Sequence, residues 1–446
     1  MTTKQKDVHI TPFVKKMMLV SGGGYFLDGF ILVIIGMALI QLEKVLNLNA
    51  YWVGLIGAGA LGGVFLGSSF LGYLTDKFGR KQLFVIDMIF VFVLSLLQML
   101  VDSPYQLAIL RFLLGVGIGA DYSIGTPLLA EYAPSSHRGA ILGFLQVMWF
   151  VGAWAASLVG YLLIPYEEGW KYMLGSAAIP ALFLTIGRWN VPESPFWLAS
   201  RGYMDKALHS LRIAYGDDVK LEDLELDKEL KEKNVKSASF FSILKPAYLK
   251  RLIFCGGFWV CAVLPLFAIY TFGPKILEAF DLASGRQAIL GDMMLNGIFL
   301  VGCILGCILI EKFGRRPLII ASYAVMTIGM ILLSFSSDSS SLILVMCGFS
   351  IYALASGIPN DMVCIYPNEL FPTSIRAMGM GISTAISRIG SFAGTFLLPY
   401  FLANHGIKTT MWTMTGVTII GLILCVFLAP ETKDLSLEDA SKISDK

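Results

Sequence analysis

Asp76-Lys77-Phe78-Gly79-Arg80-Lys81 returns 235 residues later as Glu311-Lys312-Phe313-Gly314-Arg315-Arg316. Two further stretches return at a shift of 238: Glu131-Tyr-Ala-Pro134 with Arg138 as Glu369-Leu-Phe-Pro372 with Arg376, and Pro192-Glu193-Ser194 as Pro430-Glu431-Thr432. Gly143 and Gly152 match Gly381 and Gly390 at the same shift. A near-constant offset over several motif pairs marks an internal duplication, which has to be recognised before any element is assigned. Two parallel repeats of this length, if they lie in a membrane, are related by an axis along the membrane normal and place a binding site between them near the midplane.

Composition says that they do lie in a membrane. Of 446 residues, 56% are hydrophobic and only 15% charged, against about 25% charged in an average soluble domain. Mean hydropathy is +0.71. The apolar residues come in blocks long enough to cross a hydrocarbon core, which takes about 20 helical residues. Twelve such blocks are read at 17–40, 53–74, 83–101, 105–131, 138–163, 171–190, 250–273, 287–310, 317–335, 341–366, 377–402 and 409–429. Only helices suit these single spans, because each must satisfy its own backbone groups in lipid. The first block is too long for the core of a signal peptide. The expected fold is therefore all-α and integral to the membrane, with 12 transmembrane helices in two pseudo-symmetric six-helix bundles. Residues 1–190 form the first bundle, 191–249 a charged linker with short amphipathic helices, 250–430 the second bundle and 431–446 a tail.

Lysine and arginine set the expected orientation. With the N-terminus inside, the short inner loops and tails carry 15 of them, the linker 11, the outer loops 5 and the spans 3. Both termini and the linker are expected in the cytoplasm, with the chain multi-pass in the cell (inner) membrane. A net charge of +2 gives no basic field for nucleic acid. The seven cysteines all lie in apolar stretches without a C-x-x-C, as packing residues do. The four histidines lie in tails and loops without metal-ligand spacing, and no nucleotide-binding loop is present. No enzyme, metal or cofactor is expected. The expected partners are a small solute, protons and the bilayer, for a monomeric chain.

At Gly72-Tyr-Leu-Thr-Asp76-Lys77-Phe-Gly79-Arg80-Lys81 the chain resembles the major facilitator superfamily, and Pro192-Glu-Ser-Pro195-Phe-Trp-Leu198 resembles the sequence that follows the sixth helix of its sugar porters. The resemblance covers essentially the whole chain and implies transport by alternating access. It gives a role to the charges at inner helix ends, Asp76, Arg80, Glu131, Arg138, Glu311, Arg315, Glu369 and Arg376. Acids and bases there can pair as the inner side closes and part as it opens, biasing a two-state equilibrium.

Ionisable residues inside spans are the functional candidates. Asp28 lies about eleven residues, ~16 Å, into the first span. It resembles the first-helix aspartate of proton-coupled sugar porters, which faces an arginine of helix four, here Arg111; the pair is expected to carry the proton. Arg388 sits at similar depth in span eleven, in a Ser-Arg-Ile-Gly run resembling that of organic-anion and aromatic-acid porters. Its fork suits a carboxylate or phosphate, with pairing to Asp28 or Asp361 as the structural alternative. Asp121 and Tyr122 resemble a motif of proton–phosphate symporters, yet span seven lacks the acid those porters carry there. Gln146 matches a sugar ligand, whereas Cys261, Ala262, Cys364 and Ala153 replace other sugar-binding side chains. Trp149 and Tyr270 are aromatic candidates for the cavity wall. The expected function is proton symport of a small organic metabolite, an anion before a sugar. The alternatives are a sugar or phosphate porter, a drug/proton antiporter, and a receptor built on a transporter body.

Overall fold

A computed structural model describes residues 10–133, 137–216, 246–280, 285–336, 342–371 and 376–433. Every regular element among them is helical. The first half comprises α1 (Pro12–Val45), α2 (Ala50–Phe78), α3 (Arg80–Leu97), α4 (Pro104–Tyr132), α5 (Arg138–Leu163), α6 (Gly169–Gly175) and α7 (Ala178–Trp189). Two short helices follow, α8 (Pro195–Ser200) and α9 (Met204–Tyr215). The second half comprises α10 (Pro246–Ala279), α11 (Arg286–Phe313), α12 (Arg315–Ser336), α13 (Leu342–Leu370) and α14 (Arg376–Leu428).

Local sequence explains where helices start and break. Thr11 caps α1 by accepting from Val14 N at 3.2 Å, and Ser103 caps α4 by accepting from Gln106 N at 3.4 Å. Each is followed by a proline at the first helical position, where its missing N–H costs nothing. Gly79 and Gly314 separate α2 from α3 and α11 from α12 at φ +96° and +89°, a region L side chains rarely adopt. In α10, Phe272 leaves the helical region just before Pro274, which cannot donate to the carbonyl four residues back.

Among the described residues, ten helices are long and apolar enough to cross a membrane. The twelve expected crossings are reached by two differences of detail. In α14, Gly406 at φ +74° interrupts one long helix, and the limbs on either side of it are the expected spans eleven and twelve. The expected sixth span is two helices in tandem: α6 ends at Gly175, α7 begins at Ala178, and Ser176 joins them, its N–H donating back to Tyr172 O at 2.8 Å and its carbonyl accepting from Ile179 N at 3.2 Å.

Within the first half, α2 packs on α4, α1 on α5, and α3 on both α4 and α7. Within the second, α10 and α12 pack on α14 while α11 and α12 pack on α13. The halves meet along α1 with α10, α2 with α14, and α5 with α11. Glycine sets how near the backbones come. A Cβ on Gly63 would stand 2.0 Å from Phe112 O, and one on Gly115 1.9 Å from Ala60 O, so α2 and α4 touch main chain to main chain. Gly36 of α1 does the same across the seam, against Thr271 O of α10.

Candidate functional site

Four of the expected residues, Asp28, Tyr122, Trp149 and Arg388, gather where α1, α4, α5 and α14 approach one another. Asp28 is buried, and its Oδ2 has no hydrogen-bond partner. The charges acting on it are those of Asp121, Arg188, Asp87 and Arg388. Arg388 crosses from the second half and lies over the Tyr122 ring, 5.6 Å from its centre. It has no ion-pair partner among the described residues, and its Nε is buried without an acceptor. Tyr122 in turn meets the Tyr25 ring at 5.0 Å, and Tyr25 Oη lies 2.6 Å from Thr126 Oγ1. Trp149 of α5 stands edge-on to Tyr270 of α10, with ring centres 5.4 Å apart, and also touches Phe267, so the aromatic wall bridges the halves. Gln146 lies one turn before Trp149 and is half-buried.

The structure does not join Asp28 to Arg111. Arg111 is fully buried, its Nη1 donates to Ile31 O at 2.9 Å, and its Nε and Nη2 are unpartnered. Its guanidinium therefore meets α1 three residues past the carboxylate with which it was expected to pair. Asp361 does not reach Arg388 either; its Oδ1 lies 3.6 Å from Cys303 Sγ.

Asp121, read from sequence as a substrate ligand, is occupied by a neighbour. Arg188 of α7 forks onto it, Nη1 to Oδ1 at 2.7 Å and Nη2 to Oδ2 at 3.2 Å. The same guanidinium reaches Asp87 of α3 at 3.3 Å, donates to Phe84 O and Val20 O, and stacks on the Phe84 ring at 3.8 Å. All three charged side chains are buried. A carboxylate held by both arms of a buried guanidinium has little left for a solute. Gly24 makes the space: a Cβ there would fall 1.9 Å from Asp121 Oδ2. Sequence reasoning gave neither Asp87 nor Arg188 a role. Partners more than sixty residues apart leave no local signal.

At the end of the bundle where α1 begins, each half carries the same clasp. Arg80 pairs with Glu131, which also accepts from Ser194 Oγ. Arg315 pairs with Glu369 at 3.1 Å, which also accepts from Thr432 Oγ1. Glu193 accepts from the amides of Arg80, Lys81 and Ser194, and Glu431 from those of Arg315, Arg316, Thr432 and Lys433. Each pair joins helices of one half, α3 with α4 and α12 with α13. The side chains of Asp76, Arg138, Glu311 and Arg376, the other expected gate charges, lie outside the described residues. The Pro-Glu-Ser and Pro-Glu-Thr repeats thus contribute the capping carboxylates, a role their sequence did not announce.

One cavity lies elsewhere. About 520 Å³ lies between α2, α4 and α14, lined by Leu55, Gly62, Phe65, Phe112, Phe392 and the stem of Arg388. Its walls are apolar, and the adjoining Ile109 and Ile389 are exposed on the lateral surface. It faces the lipid, while the polar groups lie on the Tyr122 side of Arg388.

Two helical bundles meeting at a seam of buried charges and rings form a carrier body, and a family profile agrees: that of sugar (and other) transporters matches residues 17–443. The chain belongs to this family. The transporter is 40% identical over 438 residues to the "Putative metabolite transport protein YaaU" of Escherichia coli strain K12, covering 98% of this chain and 97% of that one. It is 35% identical over 441 residues to the "Inner membrane metabolite transport protein YgcS" of the same strain, at 99% and 96% coverage. Its fold matches that of the xylose transporter XylE of E. coli in an inward-open conformation, with a TM-score of 0.83, 22% identity, and 96% and 99% coverage. The protein is a multi-pass secondary transporter of the major facilitator superfamily for a small metabolite, and not an enzyme.

Proposed function

We propose that this carrier moves a small organic anion together with a proton, by alternating access, as a monomer in the inner membrane with both termini cytoplasmic. Residues 1–190 and 250–430 are the moving bodies; 191–249 and 431–446 lie on the cytoplasmic side. The observation that carries the reading is the pair of incomplete charges at the seam. Asp28 of the first half has an oxygen without a partner, and Arg388 of the second half has a guanidinium without an ion pair among the described residues. Buried charges are normally paired or hydrogen-bonded. An arginine left open beside aromatic rings suits a planar carboxylate, which can take both of its arms. Tyr122, Trp149, Tyr270 and Gln146 are the walls against which the rest of the solute rests. The proton belongs to Asp28, whose electrostatic surroundings shift whenever Arg388 moves with the second half; Arg111 fixes the first helix beside it.

The test is counterflow in proteoliposomes with labelled small carboxylates, sugars, phosphate and organic cations. Anion exchange should be present in the parent and lost in Arg388→Ala. Asp28→Asn should keep exchange and lose proton-driven accumulation. Exchange of a neutral sugar or of a cation, indifferent to Arg388→Ala, would overturn the anion assignment.

A further inference from the structure

The hydrogen bonds between the halves, among the described residues, gather at the end remote from the two clasps. Lys275 of α10 meets Glu43 of α1 at 2.6 Å. Ser157 of α5 donates to Asp292 Oδ2 of α11 at 2.8 Å. Asn296 Nδ2, one turn further along α11, lies 2.7 Å from both Ser157 Oγ and Asp292 Oδ2. Arg286, at the start of the same helix, stacks on Tyr161 of α5 at 4.2 Å. That end is shut in this structure, and Asp292 lies inside the closure, six residues or about 9 Å into α11.

The carboxyl is only 2% exposed. Its Oδ1 presses on Gly273, where a Cβ would stand 1.9 Å away, so the glycine beside the break in α10 makes room for it. Around it, α5 presents Ser157 and Tyr161. α10 presents the unpartnered hydroxyl of Tyr270, and Lys275, which is engaged by Glu43. Its own helix presents Asn296, and Arg286 engaged by Tyr161. No cation pairs with Asp292 among the described residues. An ionised carboxylate in an apolar seam with only neutral partners carries an uncompensated charge, which a proton cancels. A metal cation would require lone pairs pointing inward, whereas Ser157 and Asn296 both point hydrogens at Oδ2.

We propose that Asp292 is a proton-binding latch: closing this end takes up one proton onto Oδ1, and opening it returns that proton to the water on the same side. As the acid, Asp292 leaves Oδ2 free to accept both bonds. When α5 and α11 part, the Ser157 bond breaks, water enters, and the O–H bond gives its proton to water. The proton taken up and given back on one side adds nothing to the transport stoichiometry. It makes the balance between open and shut depend on pH. The latch rests on the alternating-access reading above and does not require that protons drive uptake.

Thr271→Cys supplies the reporter. Thr271 is 1% exposed, with its carbonyl against Gly36 and its Cγ2 against Gly57, so it is reached only when the seam opens. Purified Thr271→Cys carrier is labelled with a hydrophilic maleimide across a pH series, and the labelling of the native cysteines in the parent is subtracted. Linkage of one proton allows the open:shut ratio to rise by at most about tenfold per pH unit as Asp292 ionises. Labelling, normalised at each pH to that of the same cysteine in denatured carrier so that the pH dependence of thiolate formation cancels, should therefore rise with pH, and adding Asp292→Asn should leave the normalised value low and flat. Ser157→Ala should raise labelling at every pH while keeping the slope. Infrared difference spectra should show a protonated-carboxyl band that vanishes in Asp292→Asn and persists in Asp28→Asn. A slope unchanged in Asp292→Asn, or a parent whose labelling is flat with pH, overturns the latch. Thr271→Cys unlabelled at every pH would take down alternating access and the latch together.

Discussion

Replacing Arg188 by methionine removes a charge from the first bundle while keeping most of the side-chain volume. The structure supplies the magnitude. Arg188 is fully buried, bonded to both oxygens of Asp121, to Asp87 and to two main-chain carbonyls. Asp87 and Asp121 are 5% and 0% exposed, so neither can turn to water when the guanidinium leaves. Removing one partner from a buried ion pair costs about 3–5 kcal/mol, because the other charge stays behind uncompensated. The control is Lys171→Ala: Lys171 and Glu168 are 32% and 60% exposed, and such a surface pair is worth about 0–1 kcal/mol. Denaturation of the purified carrier in detergent micelles reads both. Adding Asp87→Asn and Asp121→Asn to Arg188→Met should recover most of the loss, since the triple variant leaves none of these three charges behind. An Arg188→Met variant as stable as the Lys171→Ala control, or a triple variant no better than the single, would refute the reasoning.

The clasps yield two further predictions. Slight burial raises the affinity of Glu431 for its proton, but hydrogen bonds from the amides of Lys433, Arg315, Arg316 and Thr432 outweigh it and hold the carboxyl below the usual range. A depressed folded-state value means that this stabilisation is complete above the unfolded glutamate value of about 4.3 and is lost as pH falls through the folded one. The protection factors of the Arg315 and Arg316 amides against exchange should therefore fall on acidification below about pH 4, and Glu431→Gln should remove that fall. Gly79→Ala and Gly314→Ala should each lower stability by at least the ~1–2 kcal/mol of a left-handed L residue. Gly79→Ala should cost more, because its Cβ would meet the Glu193 carboxyl at 2.4 Å against 2.9 Å for Glu431 beside Gly314. Gly202→Ala, at φ +82° with nothing within 4 Å, reports the strain alone, and melting curves rank the three.

The fold was legible because a membrane imposes a single periodicity on sequence: a block of apolar residues is a helix, and the 238-residue offset pairs the blocks. The break between α6 and α7 was not, since Ser176 and Ala177 are ordinary helix residues and the break shows only in three dimensions. Within the site, depth along a helix is readable from residue count, so Asp28 and Arg388 could be singled out. Azimuth and partners are not. Arg111 reaches Ile31 O instead of Asp28, and Asp121 is claimed by an arginine 67 residues on. Asp292 sat unremarked in an apolar block, because its donors are Ser157 in the other half and Asn296 on its own helix.

The placement of the two clasps says where resistance to motion lies. Arg80 with Glu131 and Arg315 with Glu369 each brace helices of one half, so a rocking motion carries them along intact. They work as stiffeners inside each rigid body. On the alternating-access proposal, what loosens in each turnover is the far seam, a few neutral hydrogen bonds and one half-exposed ion pair, Lys275 with Glu43. A mechanism built this way puts its strong electrostatic bonds in the levers and its weak ones in the bearing, so turnover should respond far more to substitutions along α5 and α11 than to ionic strength.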